Sequence, residues 1–468
     1  MSTPTRVRQI AKWVHGFDAA SLPEAARIQA GHLVLDTIAC AICALAEEEP
    51  LHVMEAVESL GGAPQATLIG RATKTSAANA ALANGALLRF LDLNDFLMDH
   101  GAKGASVGGH PSDNIGPVLA VAEWRGASGL ETIGAIAACY EIYTRLNTMM
   151  NRTGGWDTTS VSAFAVAATT ARLMGLDEDQ TAQAIALAAS RCVTPGVVRA
   201  GDISSAKYLA NAMITKSAVE AAVLAAHGMT GPMEVVEHAR GLGALLAYEE
   251  AGDILTRPMT APCAMIAASI KAYPCLATGQ TVATAAEPLA VKIRGRFDDI
   301  EAITISMADS AVIRRQQTDP GRLDPRSRES ADHSFPFIAA VTLIDGTLTP
   351  RQYDNDRWME PTIRALMAKM TFDTDAALTA RAPNSYPVRM RIRMTDGEML
   401  ESEALEAPGM SHGGIPRDAV VAKFEKITAG LLDPDRQARI RDNALALDGL
   451  ASIATLMDDL AAPILRRH

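Results

Sequence analysis

The period of the apolar residues changes twice along this chain. Up to about Pro262 it is helical: Ile28, Leu33, Leu35, Ile38 and Ile42 follow the spacing of one helix face, and the stretch past Pro50 is a turn. Beyond Pro262 alternation takes over, first at Ile303, Ile305 and Met307, then strictly from Val388 to Met394, where Arg389, Arg391 and Arg393 separate the apolar residues. A period of two predicts a half-buried strand. Thr395-Asp396-Gly397 then predicts a hairpin, whose return strand offers Glu401 and Glu403 as cross-strand partners for the arginines. This arginine stripe reads as a solvated sheet face with ion pairs. From Pro416 the helical period resumes through Val420, Phe424, Ile427 and Leu431. The prediction is a mostly α protein with an α+β second domain: helices over 1–264, an α+β unit over 265–408, and helices over 409–468 folding back onto the first.

Several helix ends are legible. Ser21 with Glu24 three residues on is a capping-box pattern, with Pro23 in the first turn. At Met174-Gly175-Leu176-Asp177 one helix meets the next: Gly175 suits a left-handed C-cap, Asp177 an N-cap, and Glu178 and Asp179 the positive end of the dipole. Another helix runs from about Asn211 to His227-Gly228, before the stop signal Thr230-Gly231-Pro232.

Size and composition narrow the class. At 468 residues the chain exceeds what one core usually holds. It is 48% apolar with only 4% aromatics, which favours closely packed helices over a sheet sandwich. With 43 basic and 54 acidic residues the net charge is −11, and no basic cluster carries interleaved aromatics, so nucleic acid is a poor partner. An anionic substrate on such a protein requires a local cationic pocket. The six cysteines (Cys40, Cys43, Cys139, Cys192, Cys263 and Cys275) are scattered; Cys40 and Cys43 sit in an apolar helix-like run and read as buried small hydrophobes. No grouping offers the ligands of an iron–sulfur cluster. Met1 to Arg6 has no apolar leader, and no run is expected to reach the roughly 18 apolar residues of a membrane span, so a cytoplasmic location is expected.

The densest polar cluster in apolar surroundings runs from Arg89 to His100 and holds Asp92, Asp95 and Asp99. A glycine-rich loop then leads to His110-Pro111-Ser112-Asp113-Asn114. Read as a helix, the cluster puts the three carboxylates on one face, where crowding would raise their pKa values toward those of a working base or acid. Other readings of this region fail on context. Gly104-Ala105-Ser106-Val107-Gly108 matches a nucleophile motif but lacks the strand before it and the helix after it, and His412-Gly413-Gly414 follows where an oxyanion motif would precede. No Gly-Lys-Ser/Thr closes the loop as a phosphate cradle. Asp99, His100 and His110 fit no common metal spacing. His32 and His227 read as structural.

Taken together, Asp92-Leu93-Asn94-Asp95, then His110-Pro111-Ser112-Asp113-Asn114 and Val118 to Glu123, resemble the signature of the MmgE/PrpD family. Similarity continues at Ser205-Ala206-Lys207, Thr230-Gly231-Pro232 and Lys271-Ala272-Tyr273-Pro274. Further blocks are His333-Ser334-Phe335-Pro336-Phe337, Leu343-Ile344-Asp345-Gly346, and Gly414-Ile415-Pro416 leading to Lys423-Phe424. These blocks keep family order over most of the chain. The resemblance implies a large helical domain built from both chain ends, a smaller α+β lid, a homodimer, and no metal or other cofactor. It implies a lyase acting on a small citrate-like polycarboxylic acid, by dehydration as in 2-methylcitrate dehydratases. Decarboxylation of a cis-aconitate type or epimerisation, as of iminodisuccinate, are the alternatives. A family-fold protein that binds such acids without turning them over is the rival of another class.

Dehydration removes a proton beside a carboxylate while a hydroxyl leaves, so it needs a base, an acid and cations for the developing charge. By resemblance Asp92 is the base and His110 the acid, or the two exchange roles. Lys207 and Lys271 match the family lysines that grip carboxylates, and Lys271 lies in apolar sequence where an unpaired ammonium would be costly. His333 is an orienting group, an acid or a cap. Asp95, Ser112 and Asp157 complete the expected substrate-binding set. Four positions depart from the family: Phe96 where many relatives have Thr, Asp157 after Gly155-Trp156 where the decarboxylase-like branch has His, no His after Cys275-Leu276-Ala277, and Phe337 in place of a Tyr. Asp157 is the one feature favouring dehydration.

Overall fold

From Gln29 to Ala44 every residue of the helix Glu24–Ala44 (α1) is buried, and the first of the two large hydrophobic cores among the described residues forms around it. The computed structural model describes residues 4–99, 106–149, 155–191, 193–201, 203–246, 263–381, 386–410 and 413–465. His100, Cys192 and His412, discussed above, lie outside the described residues. The first core takes its main helices from α1, α2 (Ala77–Phe90), α3 (Gly129–Met149) and α4 (Ala206–Ala226). The second core, from Tyr273 to Ala404, holds α5 (Gln280–Ile293), α6 (Phe335–Asp345) and the strands β1 (Ile300–Met307), β2 (Met370–Thr374), β3 (Val388–Met394) and β4 (Met399–Ala404). The helices α7 (Arg417–Thr428) and α8 (Pro434–Leu445) then return to the first core and pack on α1.

The sheet order is β2-β1-β3-β4, with β1 and β2 parallel and the other pairs antiparallel. Along β3, Val388, Met390, Ile392 and Met394 are all buried, as the alternation requires. The hairpin register sets Arg389 opposite Glu403 and Arg391 opposite Glu401. Both form ion pairs, at 2.7 Å each, while Arg393 turns to Glu301 on β1 at 3.0 Å. Half-exposed pairs like these contribute little each, but opposite charges fix the register.

The junction at Gly175 forms as its residues predict. Gly175 is left-handed with φ 74°, Leu176 N–H donates to Ala171 O at 3.0 Å, and Asp177 and Gln180 make a reciprocal capping box. The Ser21 cap does not form. Asp18 caps a short turn over Ala19–Ser21, Ser21 donates to Asp18 O at 2.6 Å, and α1 begins after Pro23 with no side-chain cap. Ile28, read as part of the buried face, is exposed. The helix expected from about Asn211 begins five residues earlier, at Ala206, and ends before His227.

The expectation of no membrane-length run also fails: α1 and α4 are each long and apolar enough to cross a membrane by length and composition. Their apolar stretches are 89% and 56% buried inside the protein, and an alanine-rich core helix meets the same test as a span. Cys40 and Cys43 are buried on α1 and in no disulfide.

Close approach of α8 to α1 depends on Gly31. A Cβ there would lie 2.7 Å from the backbone oxygen of Ala444, which has no rotamer to yield. Gly31→Ala is expected to lower the urea midpoint by an amount equivalent to about 1–3 kcal/mol, as overpacking does.

Candidate active site

The segment carrying the carboxylates is not the helix expected from its sequence. The helix α2 stops at Phe90, and Asp92 adopts a left-handed backbone, φ 48°, rare for a residue with a side chain. The chain stays buried beyond it, and Phe96 exchanges backbone hydrogen bonds with Ser269 at 2.8 and 2.9 Å. Asp99 falls in a two-residue strand, Met98–Asp99. Asp92 and Asp95 therefore face different partners instead of crowding each other.

Asp92 is surrounded by cations. Arg89, one turn back at the end of α2, hydrogen-bonds one carboxylate oxygen. Lys271, brought beside it by the Phe96–Ser269 bridge, donates to Asp92 Oδ1 at 2.5 Å and to its backbone oxygen at 2.9 Å. Lys207, on the first turn of α4, lies 3.4 Å from Oδ2. Lys207 also donates to both oxygens of Asp332, at 3.1 Å each, and lies 3.2 Å from His333 Nδ1. His333 closes the ring with Nε2 3.7 Å from Asp92 Oδ2. All of these side chains are buried, Lys271 completely. Burial opposes the charge on Asp92, but Arg89, Lys207 and Lys271 outweigh it and hold its carboxyl well below the usual range. Burial, reinforced by Lys207 against the pull of Asp332, lowers His333 to about 4, so its ring is neutral.

Asp95 sits in the opposite environment. Ser112 donates to its Oδ1 at 2.6 Å through Oγ and 3.2 Å through its amide, and Tyr140 donates to Oδ2 at 2.7 Å. No cation contacts it among the described residues. Burial pushes its carboxyl up to about 7, against the pull of those hydrogen bonds. Asn94 ties the two halves together: it accepts from Arg89 at 3.2 Å and donates to Ser112 Oγ at 2.8 Å and to Asp113 at 2.7 Å.

His110 is set by its neighbours on both sides. Gly109, φ 95°, has no room for a Cβ, which would lie 2.1 Å from the Tyr143 hydroxyl. The ring Nδ1 lies 2.5 Å from the backbone oxygen of Asp95. A carbonyl only accepts, so Nδ1 carries the hydrogen and Nε2 keeps its lone pair. Burial, with Arg89 and Lys271 nearby, holds the imidazole pKa well below its ordinary value, so the ring is neutral.

Asp157 does not join this group directly. It caps the turn Thr158–Val161 and holds Arg199 by two hydrogen bonds, one of 3.2 Å. Phe337 packs in the second core against Tyr353, with ring centroids 5.5 Å apart, and Cys275 is a buried thiol accepting from Gln280. His32 is structural, bonded to Ile415 O at 2.9 Å. A cavity of about 360 Å³ between α7 and the second core reaches Lys271 and Leu93, so open volume adjoins the cluster.

Sequence reasoning passed over Arg89 as a reacting-site cation, and over Asn94, Tyr140, Arg199 and Asp332. Arg89 and Asn94 had a signal as members of the polar cluster, and Asp332 as the neighbour of His333; Tyr140 and Arg199 had none. Asp92, Asp332 and His333 offer ligand atoms within 4.8 Å of one another, a donor set that suits a divalent cation. The Lys207 ammonium contacts all three, so a metal there would have to displace it.

Buried carboxylates of opposite pKa displacement, a neutral imidazole and convergent ammonium groups thus stand together, the kinds of group that acid–base chemistry uses. Residues 8–252 match the MmgE/PrpD N-terminal domain and residues 273–448 the MmgE/PrpD C-terminal domain. The chain belongs to the MmgE/PrpD family. Among its relatives, a 2-methylcitrate dehydratase of Cupriavidus necator is 28% identical over 88% of this chain and 87% of its own length. The 2-methylcitrate dehydratase of Escherichia coli is 26% identical over 89% of each chain. A cis-aconitate decarboxylase-like protein of Aspergillus oryzae is 22% identical over 96% of each.

Asp95 links protonation to stability. Its folded pKa of about 7 exceeds its ordinary 3.8, so its contribution is fully present below 3.8 and is lost as pH rises toward 7. Asp95→Asn mimics the protonated acid. Thermal midpoints between pH 4 and pH 8 are expected to fall less steeply in the variant than in the wild type.

Proposed function

We propose that the protein is a hydro-lyase that dehydrates a citrate-like polycarboxylic acid of the 2-methylcitrate type, with no cofactor in the chemistry. The observation that carries this reading is His110: a buried, neutral imidazole whose Nδ1–H is committed to Asp95 O, leaving Nε2 as the proton acceptor. The names of the relatives support the reaction class, and the two buried lysines on Asp92 support an anionic substrate.

Of the two assignments that the resemblance leaves open, the geometry favours the exchange. Both carboxylate oxygens of Asp92 are held by Arg89, Lys207 and Lys271, whereas His110 keeps the lone pair on Nε2, so Asp92 orients the cations and His110 removes the proton beside a substrate carboxylate. Lys207 and Lys271 face the negative charge that builds up on that carboxylate as the carbon loses its proton. Burial lowers the pKa of Lys271, making its ammonium the readier proton donor for the departing hydroxyl. One proton leaves carbon for His110, one passes from Lys271 to oxygen, water departs and the double bond forms. His333, neutral and bonded to Asp332, positions Lys207.

Decarboxylation is the second reading, through the same carbanion-like centre and the Aspergillus relative. Against it stands Asp157, which takes the place of a histidine and is occupied with Arg199. Proton NMR of the protein with 2-methylcitrate, citrate, cis-aconitate and iminodisuccinate separates the reactions. Water loss from a citrate-type acid is expected. Carbon dioxide release alone, or exchange without net loss, would overturn dehydration. His110→Gln is expected to lower kcat by about 10²–10⁴-fold, the usual worth of a general base, with the fold unchanged by circular dichroism.

A further inference from the structure

Arg322 is a charged side chain that this scheme leaves unused and the fold leaves incompletely bonded. It lies in the short helix Pro320–Leu323 and is only 7% exposed. Its Nη2 donates to the backbone oxygen of Arg199 at 3.3 Å, and its Nε stands 3.6 Å from Asp319 Oδ2. Among the described residues, Nε and Nη1 have no hydrogen-bond partner although both are buried. Buried donors without acceptors are uncommon and costly, and a native protein keeps them where something else supplies the acceptor.

The surroundings bear on the chemistry of that acceptor. Arg199 comes from the turn Gly196–Arg199 of the first core, held in orientation by both oxygens of Asp157. The two cores meet closely here: a Cβ on Gly321 would stand 2.9 Å from Gly201 O, and Ser327 donates to Ile203 O at 3.0 Å. The charges of Arg199 and Arg322 repel one another, Arg322 lies in the field of Asp332, and Arg199 in that of Asp92. Two guanidiniums thus lie in the fields of the Asp92–Asp332 cluster: that of Arg199 is bonded to Asp157, and that of Arg322 keeps Nε and Nη1 without a hydrogen-bond partner among the described residues. Planar, paired N–H donors match a carboxylate.

We propose that Arg199 and Arg322 form a second carboxylate subsite, which holds the substrate carboxylate farthest from the reacting carbon while Lys207 and Lys271 hold the nearer ones. Asp157 then acts as a positioning residue through Arg199 and makes no contact with the anion. The pair would hold the third carboxylate of a citrate-type acid, and this rests on the polycarboxylate-lyase reading above.

The test uses the full chain, isothermal calorimetry, and two unreactive probes: tricarballylate, with three carboxylates, and glutarate, with two. Arg322→Met keeps the volume and removes a partly unbonded buried charge, so it is expected to melt at or above the wild-type temperature. Its affinity for tricarballylate is expected to fall at least about tenfold, the usual cost of a charge-assisted pair, while glutarate binding stays level. Should Arg322→Met fail to fold, Arg322→Lys is read the same way, since it keeps the charge but cannot form the paired bonds. Unchanged tricarballylate binding, equal loss of both probes, or a wild type that does not bind tricarballylate overturns the subsite. Absence of water loss from every acid, with tricarballylate binding still dependent on Arg322, overturns the lyase reading and leaves the subsite standing.

Discussion

A single buried carboxylate, that of Asp92, is the point on which the rest of the molecule closes. Its three cationic neighbours come from the end of α2, the start of α4 and the strand-like stretch leaving the first core. Removing such charges from water costs several kcal/mol each, and only a complete set of partners offsets that. Completeness explains the local oddities: a left-handed aspartate, an amide bridge from Phe96 to Ser269, and Asp332 reaching across from the second core to share Lys207. Each brings a charge to its counter-charge. The two cores are thus joined at their most polar point.

The same enclosure divides labour between groups of one chemical type. Asp92 and Asp95 stand three residues apart, yet one is driven down by cations and the other up to about 7 by burial beside hydroxyls. The imidazoles differ as well: His110 turns its N–H to a carbonyl, whereas His333 turns Nδ1 to Asp332. Environment, not residue identity, separates what holds charge from what moves protons.

Regular structure was legible where periodicity and charge agree. The β3–β4 register follows from alternating arginines answered by Glu401 and Glu403, and the Gly175–Asp177 junction from local rules alone. The path after Phe90 was not legible. Leu91, Leu93, Phe96 and Leu97 continue a helix-like apolar pattern, and what breaks it is a bond to Ser269, far along the chain. The lysines of the site were found by family resemblance. Arg199 and Arg322 were not, because nothing in a chain with 43 basic residues marks which guanidiniums fold inward, and Arg89, though first in the polar cluster, carried no sign that it would pair with Asp92. Asp332 and Tyr140 escaped for a related reason: their roles exist only through partners remote in sequence.

One contact has a consequence for how the protein is made. Lys423 on α7 bonds the backbone oxygen of Leu93, the residue after Asp92 and 330 positions earlier, and lies 2.6 Å from the buried carboxylate of Asp36. The ribosome therefore releases Asp36, Asp92 and most of the helical body long before the ammonium that neutralises Asp36 has been synthesised. Until then Asp36 lacks that counter-charge, and burial drives its carboxyl toward the protonated form. The contact of Lys423 with Asp36 and Leu93 therefore forms only after α7 has been synthesised.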